Sequence, residues 1–90
     1  MPVKHKRQWY ACYELGSDEP RYLVSAISIA HVDKWLKGKV LICRVIPARV
    51  WHLVKVFSGL PYCLPEVNVS APNEFDIVNE VHIVRVVILD

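Results

Sequence analysis

The sequence predicts an α+β domain: a compact mixed sheet with two short helices, in the order β-β-α-β-α-β-β. Three observations lead there. Apolar residues alternate near the start, the spacing switches to a helical period after Ser28 and again after Pro47, and the last stretch is apolar on both faces. Ninety residues hold one domain, 1–90, with residues 1–7 expected as a flexible basic N-terminus. Apolar residues make up 53% of the chain, a large share for a domain with so little interior, so a homo-oligomer is expected.

From Gln8 to Leu15, Trp9, Ala11, Tyr13 and Leu15 fall on one side and Gln8, Tyr10, Cys12 and Glu14 on the other, the period of a strand. Gly16-Ser17-Asp18-Glu19-Pro20 breaks it, and Arg21–Ile27 forms the second arm of an antiparallel hairpin. Ser28 is a natural N-cap and Gly38 a natural C′ residue; between them Ile29, Val32 and Leu36 share a helical face flanked by Trp35, with Asp33 and Lys37 as an outward i,i+4 pair. Lys39–Val45 reads as a short buried strand through Val40, Leu41 and Ile42. Pro47 suits the first turn of a helix running to Ser58, with Val50, Val54 and Phe57 as its stripe, Leu53 widening it, and Gly59 and Pro61 ending it. A loop at Pro61–Pro65, a strand at Glu66–Ser70 and an acidic, mobile connection through Glu74, Asp76 and Glu80 follow. Val81–Leu89, apolar on both faces, belongs in the middle of a sheet or at a dimer interface.

Charge and cysteine use exclude several function classes. Lys4, Lys6 and Arg7 carry the positive excess; without those three, eight basic side chains face nine acidic ones. A duplex-binding protein spreads Lys and Arg over a face, so nucleic-acid duplex is not an expected partner. Cys12, Cys43 and Cys63 are odd in number and widely spaced, and two of them lie inside apolar stretches as buried free thiols would, which fits a reducing compartment. No apolar run reaches the length needed to cross a bilayer, so the expected location is the cytoplasm. Asn68-Val69-Ser70 matches the glycosylation pattern but carries no weight without a secretory signal.

His5, His31, His52 and His82 stand apart, with no His-x-x-x-His spacing, so no metal or cofactor is expected. A Cys–His dyad would need the fold to bring Cys43 or Cys63 against His31 or His52. General acid–base chemistry needs carboxylates at a fixed separation, which Glu74, Asp76 and Glu80 on a solvated connection do not promise. The strongest candidate is the entry to the second helix. Arg44 ends the preceding strand and Arg49 lies in the first turn, where free backbone N–H groups favour an anion. Two guanidinium groups there would add bidentate phosphate donors. The candidate ligand-binding residues are thus Arg44, Pro47, Ala48, Arg49, Trp51 and His52, and the ligand class is a nucleotide-like anionic small molecule. The rival reading pairs both arginines with Glu66 or Asp76. The many aromatics (Trp9, Tyr10, Tyr13, Tyr22, Trp35, Trp51 and Tyr62) suit core and interface packing better than base stacking.

The run from Ile27-Ser28 through Trp35-Leu36-Lys37-Gly38, then Val50 through Phe57-Ser58-Gly59-Leu60, then Val67-Asn68-Val69 and a last apolar strand, resembles the small viral ring-nuclease and anti-CRISPR family. That resemblance spans most of the chain through element order. It implies a compact dimeric domain that binds cyclic oligoadenylate, acting in the cytoplasm of an infected host. The family has a glycine–histidine pair before its second helix, whereas Ile46-Pro47 stands here and His52 falls more than a turn further on. The resemblance therefore implies capture of a signalling nucleotide, a counter-defence sponge, rather than its cleavage. Two readings compete with it: an inhibitor or adaptor that binds proteins through an apolar surface or sheet edge, and an enzyme, either a ring-nuclease-type phosphodiesterase or a Cys–His hydrolase.

Overall fold

A computed structural model describes residues 7–56, 61–64, 73–79 and 82–89. The fold is α+β, built on a mixed five-stranded sheet in the order β3-β1-β2-β7-β6. Its strands are β1 (Gln8–Tyr13), β2 (Tyr22–Ala26), β3 (Ile42–Ile46), β6 (Asn73–Asn79) and β7 (His82–Ile88). Helix α1 (Ile29–Leu36) follows β2; a 3-10 helix (Ala48–Leu53) and a small ribbon of β4 (Val54–Lys55) and β5 (Pro61–Tyr62) follow β3.

The expected hairpin is present: β1 pairs antiparallel with β2 from Gln8↔Ala26 to Cys12↔Tyr22. The other edge of β1 takes β3 antiparallel, from Trp9↔Ile46 to Tyr13↔Ile42. Strand β2 takes β7 in parallel, with Leu23 opposite Val86 and Val24 opposite Val87. That puts the doubly apolar last strand inside the sheet, because β6 lies antiparallel along its far side.

Alternation along these strands makes two cores. On one face Trp9, Ala11, Leu23, Ile46, Val84 and Val86 are buried under Val56 and Leu64, with Val50, Trp51 and Val54 packed alongside. The 3-10 helix and the ribbon supply that cover, and a Leu64 N–H to Trp51 carbonyl bond of 2.8 Å ties them together. On the other face Tyr10, Cys12, Val24, Ala26 and Val87 are buried under Val32 of α1, flanked by Trp35 and Leu36. Val32 is fully buried, Trp35 and Leu36 are half-buried, and Ile29 is 48% exposed, so the contact stripe is narrower than the sequence pattern. Asp33 and Lys37, the expected outward pair, are both exposed.

Both ends of α1 follow the sequence. Ser28 is the N-cap with extended backbone, and its hydroxyl is engaged with Nδ1 of His31 at 2.7 Å rather than with a backbone amide. Lys37 (φ −54°, ψ 121°) and Gly38 (φ +86°) form a tight turn closed by the Lys39 N–H on the Leu36 carbonyl at 2.7 Å. These angles define a type II turn, whose third position needs a positive φ and hence glycine.

Five expectations are corrected. The first strand stops at Tyr13; Leu15 is 81% exposed, because it and Gly16 (φ +82°) are the central residues of a turn closed by the Ser17 N–H on the Glu14 carbonyl at 3.0 Å. The third strand starts at Ile42 rather than Lys39, and only its last residue, Ile46, is buried. The turn at Gly38 leaves Val40 86% exposed, and an edge strand has a neighbour on one side only.

The helix expected from Pro47 to Ser58 is shorter and tighter, a 3-10 helix that ends at Leu53 and gives way to β4. Its first turn has no acidic residue and its N-cap, Pro47, makes no side-chain cap, while Arg49 opposes the helix dipole. The valines at 50, 54 and 56 are poor helix formers, and the last two serve the ribbon and the core instead. Phe57 and Ser58 lie outside the described residues.

The acidic connection is in fact strand β6, paired along its length with β7 from Asn73↔Ile88 to Asn79↔His82. Phe75 and Ile77 face the ribbon side, while Glu74 and Asp76 tolerate the other face because it is open there. Glu80 and the strand expected at Glu66–Ser70 lie outside the described residues. Residues 61–62, expected as loop, form β5.

Candidate functional site

The six candidate ligand residues occupy the far edge of the sheet and its exit. Arg44 sits mid-strand in β3, opposite Ala11, and its side chain is exposed. Pro47, Ala48, Arg49 and His52 are exposed along the 3-10 helix, whereas Trp51 is half-buried and donates its indole N–H to the Ile46 carbonyl at 2.9 Å. Trp51 thus anchors the strand-to-helix junction from inside. Arg44 lines a shallow groove of about 290 Å³ with Tyr13, Glu14, Gly16, Ser17, Asp18 and Ile42. Pro47, Ala48, Arg49, Trp51 and His52 do not contribute to that groove. The Arg44 groove carries two carboxylates, a poor setting for a phosphate. Of the rival partners, Asp76 is taken by Arg85, with Nε to Oδ1 at 3.0 Å, and Glu66 lies outside the described residues.

Among the described residues the histidines and thiols form no dyad. His31 is held by Ser28, Cys43 meets Cys12, and Cys63 and His52 are exposed. No group of three or more His, Cys, Asp or Glu side chains with metal-binding geometry occurs among the described residues. The aromatics are structural: Trp9 and Tyr10 are buried, and Tyr22 meets Trp35 edge-on at 5.0 Å and 78°. Lys39 Nζ lies 4.6 Å from the centre of the Trp35 ring and bonds the Trp35 carbonyl at 2.9 Å, closing the end of α1. Arg7, grouped by the sequence with the basic N-terminus, donates to the carbonyls of Ser25 and Leu89 across β2 and the end of β7.

A second region was missed by the sequence reading, because it needs the sheet order. Helix α1 is eight residues long, about 12 Å by 10 Å. Five strands at about 4.8 Å spacing span about 19 Å from first to last. One short helix therefore cannot cover that face, and it lies over the β3-β1-β2 side. On the uncovered side Val78 and Ile83 are cross-strand partners, 61% and 59% exposed. Beside them Arg21, Tyr22, Asp76, Ile83 and Arg85 line a groove of about 440 Å³.

Two charged pairs adjoin this groove: Arg21 bridges to Glu14 at 2.8 Å and Arg85 to Asp76 at 3.0 Å. His82, whose Nδ1 lies 3.5 Å from Glu19, alternates with Ile83 and belongs to the opposite face. The Arg85 guanidinium holds its proton more tightly than usual, first through its hydrogen bond to Asp76 and then through that carboxylate's charge. An apolar centre with a paired, polar rim is the composition of an association surface rather than of a reaction centre. Val78, the apolar member on β6, could have been found by reading Phe75-Asp76-Ile77-Val78 for period two instead of for its acidity.

No helix among the described residues is long and apolar enough to cross a membrane. No protein-family model, curated protein or solved structure matches the chain.

Proposed function

We propose that this chain is a protein-interaction module, an inhibitor or adaptor, that docks a polypeptide on the uncovered β6–β7 part of its helix-side face. The observation that carries this reading is the adjacent, exposed Val78–Ile83 pair beside the groove at Tyr22 and Arg85. Apolar surface of this kind gains free energy when covered, at roughly 25 cal/mol per Å². Among the described residues β6 is the outermost strand on that side, and its far edge offers backbone groups to an added strand.

The test is hydrogen exchange on the full chain with and without its captured partner, together with the Val78→Asp and Ile83→Lys variants. Protection confined to β6 and β7, and loss of capture in both variants with an unchanged Tm, are expected. Capture that survives both substitutions removes the reading.

A second reading, sequestration of a nucleotide-like anion at Arg44–His52, draws on the ring-nuclease resemblance. It is favoured by one feature: Arg44 and Arg49 are both exposed, with no ion pair to another described residue. A thermal-shift panel of cyclic and linear oligoadenylates separates the two. A nucleotide ligand raises the Tm by mass action and loses that effect in Arg44→Ala and Arg49→Ala. A flat panel leaves only the interaction module.

A further inference from the structure

Cys12 and Cys43 are register partners across the β1–β3 pair and lie on the same, helix-covered face. The kind of pairing matters. The Cys12 carbonyl accepts the Arg21 N–H at 2.8 Å, on the β2 side. In a strand the N–H and C=O of one residue project to the same edge, so Cys12 turns no ladder group toward β3. Cys12↔Cys43 is therefore a non-hydrogen-bonded pair, the type with Cα atoms about 4.5 Å apart and side chains closest. That spacing is at the short end of what a disulfide spans, about 4.4–6.8 Å. The two side chains belong to one packed cluster on that face, and each thiol's acidity is set first by the other.

Their exposures differ. Cys12 is fully buried, whereas Cys43 is half-buried on an edge strand. One thiol can meet a reagent and the other can meet only its neighbour. We infer that Cys43 is a modification site for small-molecule disulfides, with Cys12 as its built-in resolving thiol, so that β1 and β3 become reversibly cross-linked.

The chemistry balances. The Cys43 thiolate attacks one sulfur of a disulfide such as oxidised glutathione; a mixed disulfide forms and one glutathione thiolate leaves. Cys12 then gives up its proton and attacks Sγ of Cys43, the Cys12–Cys43 bond forms, and the second glutathione leaves as thiolate and takes up a proton. The protein loses two electrons and two protons, and the reagent becomes two thiols.

The acidities support this order. Cys43 is held below the usual thiol range, chiefly by the hydrogen bond from Cys12, against burial and the Asp33 carboxylate. Cys12 is held far above that range by the same hydrogen bond, by burial and by the charge of Cys43. Capping Cys43 removes that charge, which eases the second step.

Cys63 is exposed and serves as an internal control. The reduced full chain is incubated with oxidised glutathione at neutral pH, followed by intact mass and peptide mapping. The expected product has two hydrogens fewer, a Cys12–Cys43 bridge, and glutathione retained on Cys63. A glutathione adduct on Cys43 should precede the bridge and should persist in Cys12→Ser. Oxidation should raise the Tm by on the order of 10 °C, because the bridge closes the loop from Cys12 to Cys43. Wild type that keeps glutathione on Cys43, or that modifies Cys63 while Cys43 stays reduced, overturns the inference. Both outcomes are read on wild type, so the result stands even where Cys12→Ser fails to fold.

Discussion

Val87 and Ile83 stand on the same face of the same strand, and their fates differ. Val87 is 2% exposed beneath the α1 side of the sheet, while Ile83 is 59% exposed beyond it. Both are aliphatic residues with high strand propensity, so local sequence does not separate them. The difference comes from helix length: α1 stops at Leu36 because Lys37 and Gly38 turn the chain away. The lesson is that a short helix over a wide sheet divides one face into a core and a surface. The residues on each side then answer to different demands, packing on one and association on the other.

The largest expected effect lies under both halves, at Leu23, which is fully buried on the ribbon side. Leu23→Ala should cost about 3 kcal/mol in urea unfolding. Val87→Ala should cost about 2 kcal/mol, and Ile83→Ala less than about 0.5 kcal/mol. Equal losses at Val87 and Ile83 would abolish the division just drawn.

The division can be sharpened at its source. Gly38→Ala places a side chain at φ +86° with nothing within 4 Å of the new Cβ. Its cost, about 1 kcal/mol, is thus backbone strain alone, and Gly38→Asn should recover part of it.

Tyr10 lies under α1, and burial, followed by the nearby charges of Cys43 and Asp33, raises its phenol above the usual value of 10.0. The folded state therefore favours the protonated phenol. Its contribution is complete below the unfolded value and is lost as pH rises through the folded one. The Tm should fall above about pH 10, and Tyr10→Phe should fall less steeply.

An effect near zero or of opposite sign is expected at Ser25, whose buried hydroxyl has no partner among the described residues. Ser25→Ala should leave stability unchanged or raise it by up to about 1 kcal/mol. A loss of several kcal/mol there would reveal a bond to that hydroxyl.

Where the sequence signal was local, it was sufficient. Period two with aromatics marked β1, glycine at a positive-φ position marked the end of α1, and continuous apolarity marked β7 as an inner strand. Where two signals competed, the louder misled. The acidity of Glu74 and Asp76 hid the alternation of β6, and the helical spacing of Val50 and Val54 hid a chain too rich in β-branched residues to continue as a helix. The candidate anion site rested on that helix, and a six-residue 3-10 turn presents a weaker dipole than the one expected. Neither the uncovered β6–β7 surface nor the Cys12–Cys43 pair was visible, because each is a property of register between distant strands.

The parallel pairing of β2 with β7 constrains how the chain reaches this state. Leu23 and Val24 must wait for Val86 and Val87, with α1, β3 and the ribbon all intervening. Closing so long a loop is entropically slow, so the hairpin and β3 should assemble early while one side of β2 stays unpaired. During synthesis that bare strand edge is exposed until β7 emerges from the ribosome. Arrival of β7 is then the step that commits the domain to its native state, and the window before it is when the nascent protein is most prone to aggregate.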